Sequence, residues 1–192
     1  DTLLSLTGNG ERLLKKDRRI AIATGESRVN LGKLYEVNAQ LLGKRDPYFS
    51  GFFSIKPTKV NISGNTIDDS GGVKLDRVQV RQGKLSLSIP SLDLDHAAFV
   101  DSTLGPLPVR QASAKMRGNF NGAGIALDAS LAEDKKTAVS FSLRGLDLTP
   151  FAAGAAAGTI STTFSATGPS PQDLAIAFRL FSPQLFYYVD RG

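Results

Sequence analysis

Residues 145–174 read GLDLTPFAAGAAAGTISTTFSATGPSPQDL. Leu146-Asp147-Leu148 forms a short strand, and Thr149-Pro150 opens a small alanine-glycine stretch that permits a helix. Thr159 to Ala166 alternates as a strand does, Gly168-Pro169-Ser170-Pro171 reads as a turn, and a second apolar run follows. The side chains between Pro150 and Gly158 cover little area, so a helix there could lie close against a sheet or cap the end of a groove.

The same succession extends upstream. Phe53 and Ile55, then Val60 and Ile62, flank Lys56-Pro57-Thr58; Asp68-Asp69-Ser70-Gly71-Gly72 reads as a turn cluster. Val73, Leu75, Val78 and Val80 precede the set Leu85, Leu87, Ile89, whose intervening serines face the other way. Pro90 is expected to stop that strand, Leu92 and Leu94 resume the pattern, and His96 to Pro108 reads as a connection. Ala112, Ala114 and Met116 alternate with polar residues, as do Ile125, Leu127, Ala129 and Leu131 after a turn within 119–124. A charged tip, Glu133-Asp134-Lys135-Lys136, leads into Val139, Phe141 and Leu143. Runs of this kind recur about every ten to fourteen residues from about 50 to 180, the spacing of an antiparallel meander.

The first 45 residues match this pattern less well and are set apart as an N-terminal strand or hairpin region, with 46–192 as the β-sheet domain. A hairpin is expected around Gly8-Asn9-Gly10, a basic helix turn or a strand between Arg12 and Ala23, and a strand over Arg28 to Leu42.

A chain of 192 residues with 41% apolar and 21% charged residues is long enough to bury a core. Aromatics at 8% and 19 glycines favour many short strands over long helices. The net charge of +5 arises from 23 basic against 18 acidic residues, a modest and dispersed excess. Its densest cluster is Arg12, Lys15, Lys16, Arg18 and Arg19, which reads as a solvated face or edge protection, or as a contact for phosphate or lipid headgroups. Nucleic acid is not expected as a partner, because no aromatic residue is interleaved with these cations for stacking.

Enzymatic chemistry finds little support. There is no cysteine, which removes disulfides, thiolate metal sites and cysteine nucleophiles together. The single histidine, His96, follows Asp93 and Asp95, but on a strand those carboxylates share the face opposite to it. Asp68-Asp69 and Glu133-Asp134 sit in turn sequences, where aspartate serves the backbone. No calcium-loop spacing or phosphate-binding glycine motif occurs, so neither metal nor cofactor is expected. No run of eighteen apolar residues spans a bilayer, and residues 1–8 carry no signal-peptide pattern.

A hydrophobic sheet face must be covered, either by a second sheet or by curving around something apolar. The residues leave both open. Gly145-Leu146-Asp147-Leu148, Thr149-Pro150-Phe151, Gly158-Thr159-Ile160-Ser161, Thr167-Gly168-Pro169 and Asp173-Leu174 together resemble the AsmA-like proteins, TamB and YhdP relatives included. The resemblance is close over about 30 residues and loose from 70 to 180. The chain departs from that pattern after the leucine-rich segment, running through Pro183 to Val189, and GspN proteins of type II secretion are similar enough to stand as the alternative.

The resemblance implies a mainly β fold: an elongated antiparallel meander, curved and open as a groove or half-barrel, with one or two short helices. It further implies a non-enzymatic periplasmic protein of cell-envelope biogenesis, tethered to the inner membrane by an anchor outside this stretch. Its partners would be phospholipid or other acyl chains, and envelope-assembly or secretion-system proteins. The role would be lipid transport or outer-membrane biogenesis, and Leu85, Leu87, Ile89, Ile125, Leu127, Val139, Phe141, Leu143, Ile160 and Phe164 would line the groove.

Overall fold

The computed structural model describes residues 5–13, 15–43, 47–83, 85–104, 108–149, 151 and 156–187. They form one twelve-stranded antiparallel sheet that does not close into a barrel. The strands are β1 (Leu6–Glu11), β2 (Arg19–Thr24), β3 (Ser27–Asn30), β4 (Tyr48–Ile55), β5 (Thr58–Ser63), β6 (Thr66–Gln82), β7 (Leu85–Asp101), β8 (Val109–Phe120), β9 (Ala123–Leu131), β10 (Thr137–Asp147), β11 (Ala156–Ser170) and β12 (Asp173–Tyr187). One helix, α1 (Leu31–Leu42), and a 3-10 turn (Ser102–Leu104) complete the fold.

From β5 onward each strand pairs with the next, as a meander requires. The N-terminal strands join the same sheet. Thr24 faces Thr58 and Ser27 faces Ile55 in one unbroken register, so β2 and β3 are halves of one long strand, and β5 and β4 are halves of its partner. Both halves of that partner lie along one edge of β6. The break falls at Lys56-Pro57, where proline donates no ladder hydrogen bond.

Several expectations are corrected. Gly8-Asn9-Gly10 lies inside β1, and the reversal to β2 falls over 12–18. The stretch expected as a strand over Arg28–Leu42 is β3 followed by α1: Asn30 caps the helix by accepting from the Lys33 N–H at 3.1 Å, and Gly43 (φ 67) ends it. Leu34, Val37 and Leu41 are more than half exposed, so burial does not impose the clean period by which such a helix is recognised. The helix packs beside β4, Tyr35 standing edge-on to Tyr48 at 5.2 Å, where β4 extends past the reach of β3.

Asp68–Gly72, expected as a turn, lies within β6. Its glycines answer to close approach: a Cβ on Gly71 would meet the Thr58 hydroxyl at 2.5 Å, and one on Gly72 would strike the Leu94 carbonyl. Pro90 does not end its strand, and His96–Asp101 is no connection, because β7 runs from Leu85 to Asp101. Phe52 faces Asp76 but Ser50 faces Gln79, so β6 carries one extra residue, with Arg77 at φ 51. Pro90 stands opposite this bulge, between the pairs Asp76–Ser91 and Val78–Ile89. Gly168-Pro169 continues β11, and the turn falls at Pro171-Gln172. Of the stretch from Pro150 to Gly158 expected to permit a small helix, Ala156 to Gly158 belong to β11, and of the rest only Phe151 lies among the described residues.

The sheet is one layer over most of its width. Among the described residues the buried apolar side chains are Val78, Ala123 and Ala166, and no large side chain is fully buried. Its accessible surface is 13126 Å². A compact monomer of 20.4 kDa exposes about 8,800 Å².

Candidate functional site

Directly paired residues in an antiparallel sheet share a face, so the register sorts the molecule into two surfaces. One row runs Val73, Leu94, Met116, Leu127, Phe141, Phe164, Phe178 across seven strands, apolar at every step. The next row on that face is Leu75, Leu92, Gly118, Ile125, Leu143, Thr162, Leu180. Offset by one residue, the row Lys74, Asp93, Arg117, Ala126, Ser142, Thr163, Arg179 occupies the other face. One face is a continuous apolar surface and the other is polar.

All ten residues read from the sequence as groove lining fall on the apolar face. Leu127, Phe141 and Phe164 belong to the first row; Ile125 and Leu143 to the second; and Val139 faces Ala129 and Ala166 in a third. Leu85, Leu87 and Ile89 change parity relative to Leu92 and Leu94, yet the bulge at Arg77 and Pro90 returns them to the same face, opposite Val80 and Val78. Gly145 (φ 71) makes a second bulge in β10, which brings Leu146 and its partner Ile160 onto that face too. Missed in the sequence were the contributions of Val73, Leu94 and Met116, although their alternation is visible there.

Nothing among the described residues covers this face across β6–β12, since α1 packs on β3 and β4. Its two ends differ. At the end holding the β8–β9 turn, Phe151 stacks on Phe120 with ring centroids 6.1 Å apart, closing the face with aromatic surface. At the other end the row Ile20, Ile62, Ile67, Val100 carries apolar side chains up to the loops.

The polar face holds an open depression of about 1140 Å³, bordered by Lys74, Asp93, Arg117, Asp128, Arg144 and Arg179 among others. Opposite charges alternate across its strands. Lys56 bridges Asp93 and Asp95, the latter at 2.6 Å, and Arg117 pairs with Asp128. Burial pulls the Lys56 ammonium down, but its hydrogen bonds to Asp93 and Asp95 outweigh this and hold it above the ordinary lysine value. Asp93, Arg117 and Asp128 are thus each engaged in an ion pair beside this open, solvated depression.

Besides threonines such as Thr162, the apolar face carries an ionisable pair, His96 Nε2 with Asp69 Oδ2 at 3.1 Å. Their cross-strand neighbours are Gly71 and Ala114 for His96, and Val60 and Ala98 for Asp69. None of these four side chains offers a nucleophile or a ligating atom. Asp93 and Asp95 sit on the opposite face from His96, and Glu133 and Asp134 are engaged by Arg110 and Lys136. Among the described residues no three metal-ligating side chains converge, and no helix is long and apolar enough to cross a membrane.

No protein-family model matches the chain, nor does any curated protein or solved structure.

Proposed function

We propose that this chain is a non-enzymatic component of envelope biogenesis, of the AsmA-like kind, whose apolar sheet face shelters lipid acyl chains from water. The observation that carries this reading is the seven-strand apolar row from Val73 to Phe178, with no second layer above it among the described residues. Each acyl methylene removed from water contributes about 0.8 kcal/mol, so a chain laid along such a row gains affinity without any specific polar contact. Headgroups stay hydrated at the margin. The residues resembling AsmA-like proteins add the expected setting: the periplasm, with an inner-membrane tether elsewhere in the protein.

Native mass spectrometry of the purified chain tests the proposal. Adducts with the masses of phospholipids or fatty acids are expected; a clean protein mass after expression in a lipid-replete host would sink it.

A GspN-like interaction role is the second reading, and the exposed edge of β12 favours it. Ile176, Phe178, Leu180 and Phe181 are 63–66% exposed there, along a strand with no outer partner among the described residues. Such an edge accepts an added strand.

A further inference from the structure

The densest run of cations in the sequence falls on one loop of the fold. Residues 11–19 hold five cations against Glu11 and Asp17, a local net charge of +3 out of +5 for the whole chain. They lie in and beside the loop that joins β1 to β2. Arg12 pairs with Asp17, while Lys15, Lys16, Arg18 and Arg19 form no ion pair among the described residues. Leu13 stands among them 56% exposed. The loop is built into a rim: the Gly64 N–H donates to the Arg18 carbonyl at 2.8 Å, and the Ser102 N–H donates to the Asn65 carbonyl at 2.9 Å. Leu104, on the same rim, is also exposed.

This rim lies at the end of the apolar face that Phe120 and Phe151 do not close. The row Ile20, Ile62, Ile67, Val100 runs up to it. A cationic loop with an exposed leucine, set at the open end of an apolar surface, has the composition of a bilayer-surface contact: ammonium and guanidinium groups meet lipid phosphates, and leucine enters the headgroup boundary. We infer that the β1–β2 loop docks this end of the sheet on an anionic membrane surface, so that acyl chains enter the apolar face from the rim. The entry step rests on the proposed lipid function; the docking step stands on the loop.

The experiment is flotation of the full chain with vesicles of phosphatidylcholine containing about a third phosphatidylglycerol, against pure phosphatidylcholine. The parent is expected to float with the anionic vesicles only and to detach as added salt shortens the Debye length. Lys15→Gln/Lys16→Gln removes two exposed cations and is expected to weaken partitioning about 30-fold. Leu13→Ser is expected to weaken binding while leaving its salt dependence in place. A Lys15→Gln/Lys16→Gln protein that partitions like the parent, or a parent that floats equally with neutral vesicles, overturns the docking assignment. Lipid adducts in native mass spectrometry are read on the same samples: their absence from the parent counts against the acyl-chain reading alone, and their persistence in the double variant separates docking from binding.

Discussion

Arg110 closes on Asp101 across the connection between β7 and β8, its Nη2 standing 2.8 Å from the carboxylate Oδ2. Asp101 is buried and also accepts from the Thr103 hydroxyl at 2.6 Å and the Thr103 N–H at 3.0 Å. The Thr103 hydrogen bonds foremost, with Arg110 in support, hold its carboxyl below the usual carboxylate range. A group whose folded-state pKa is depressed contributes stability above its unfolded value and loses it as pH falls through the folded one. Asp101→Asn is therefore expected to lower the melting temperature at neutral pH, with the gap narrowing as pH falls below the ordinary carboxylate range and closing only below the depressed folded-state value. Thermal melts by circular dichroism at several pH values check this; a difference that persists undiminished into strong acid contradicts it.

Lys56 gives the opposite sign. Its ammonium is held above the ordinary lysine value by Asp93 and Asp95, so its contribution is complete below that value and fades as pH rises through the folded one. Lys56→Met leaves two carboxylates on neighbouring positions of one strand face without their cation. The variant is expected to unfold at lower denaturant than the parent at neutral pH, with the gap narrowing under strong alkali. Urea titrations at paired pH values measure it, and a gap that widens with alkalinity refutes the assignment.

Two glycines beside the polar depression are predicted to respond with opposite sign. A Cβ on Gly118 would strike the Ser91 carbonyl and meet Leu92 Cα at 2.7 Å, whereas one on Gly124 meets nothing within 4 Å. Gly118→Ala forces backbone apart and is expected to destabilise by about 1–3 kcal/mol. Gly124→Ala removes unfolded-state freedom at no steric cost and is expected to stabilise by about 0.5 kcal/mol. Equilibrium denaturation of both variants decides the matter; equal effects would show that the approach of β8 to β7 is looser than the structure has it.

Where alternation alone sets the fold, the sequence is plain: Ala112 to Met116, Ile125 to Leu131 and Val139 to Leu143 lie on strands as read, each with its apolar side on one face. Misreadings arose where a residue of turn character serves the sheet. Gly71 and Gly72 allow close approach of Thr58 and Leu94, and Pro90 occupies the position opposite a bulge, so their local meaning is overruled by neighbours in space. The helix α1 escaped because its apolar residues are exposed. That the ten apolar residues share one face was legible wherever parity runs unbroken, as from Val139 to Leu143, and was not where the bulges at Arg77 and Gly145 reset it. The Asp69–His96 and Lys56–Asp93 pairs were not legible, since each depends on the summed register of strands 27 and 37 residues apart.

The edge of β12 is expected to be adhesive. β1, at the opposite edge, is short and glycine-rich, while β12 has apolar side chains on both faces, Phe178 and Leu180 on one and Phe181 on the other, with Arg179 as its one cation between Asp173 and Phe181. Long apolar edges without charged guards template strand pairing. Phe178→Lys is expected to reduce concentration-dependent association while leaving the far-ultraviolet dichroism intact. Sedimentation velocity across a tenfold concentration range reads the effect, and association unchanged by the lysine places the contact elsewhere.

Phe141 and Ser142 are adjacent in β10 and point to opposite faces, which makes them a matched test of where a ligand lies. Phe141 sits mid-row, between Leu127 and Phe164, whereas Ser142 sits between Ala126 and Thr163 above the polar depression. A carboxylate introduced by Phe141→Asp interrupts the apolar row at its centre and would need to stay hydrated where an acyl chain must exclude water. The same charge at Ser142→Asp lies among hydroxyls and near Arg117 and Arg179 on the solvated side. Lipid adducts are expected to vanish from Phe141→Asp and to persist in Ser142→Asp, with both proteins folded by dichroism. Adducts lost from both variants, or retained by both, would mean that the ligand does not lie along the Val73 to Phe178 row; adducts lost only from Ser142→Asp would transfer the site to the polar depression.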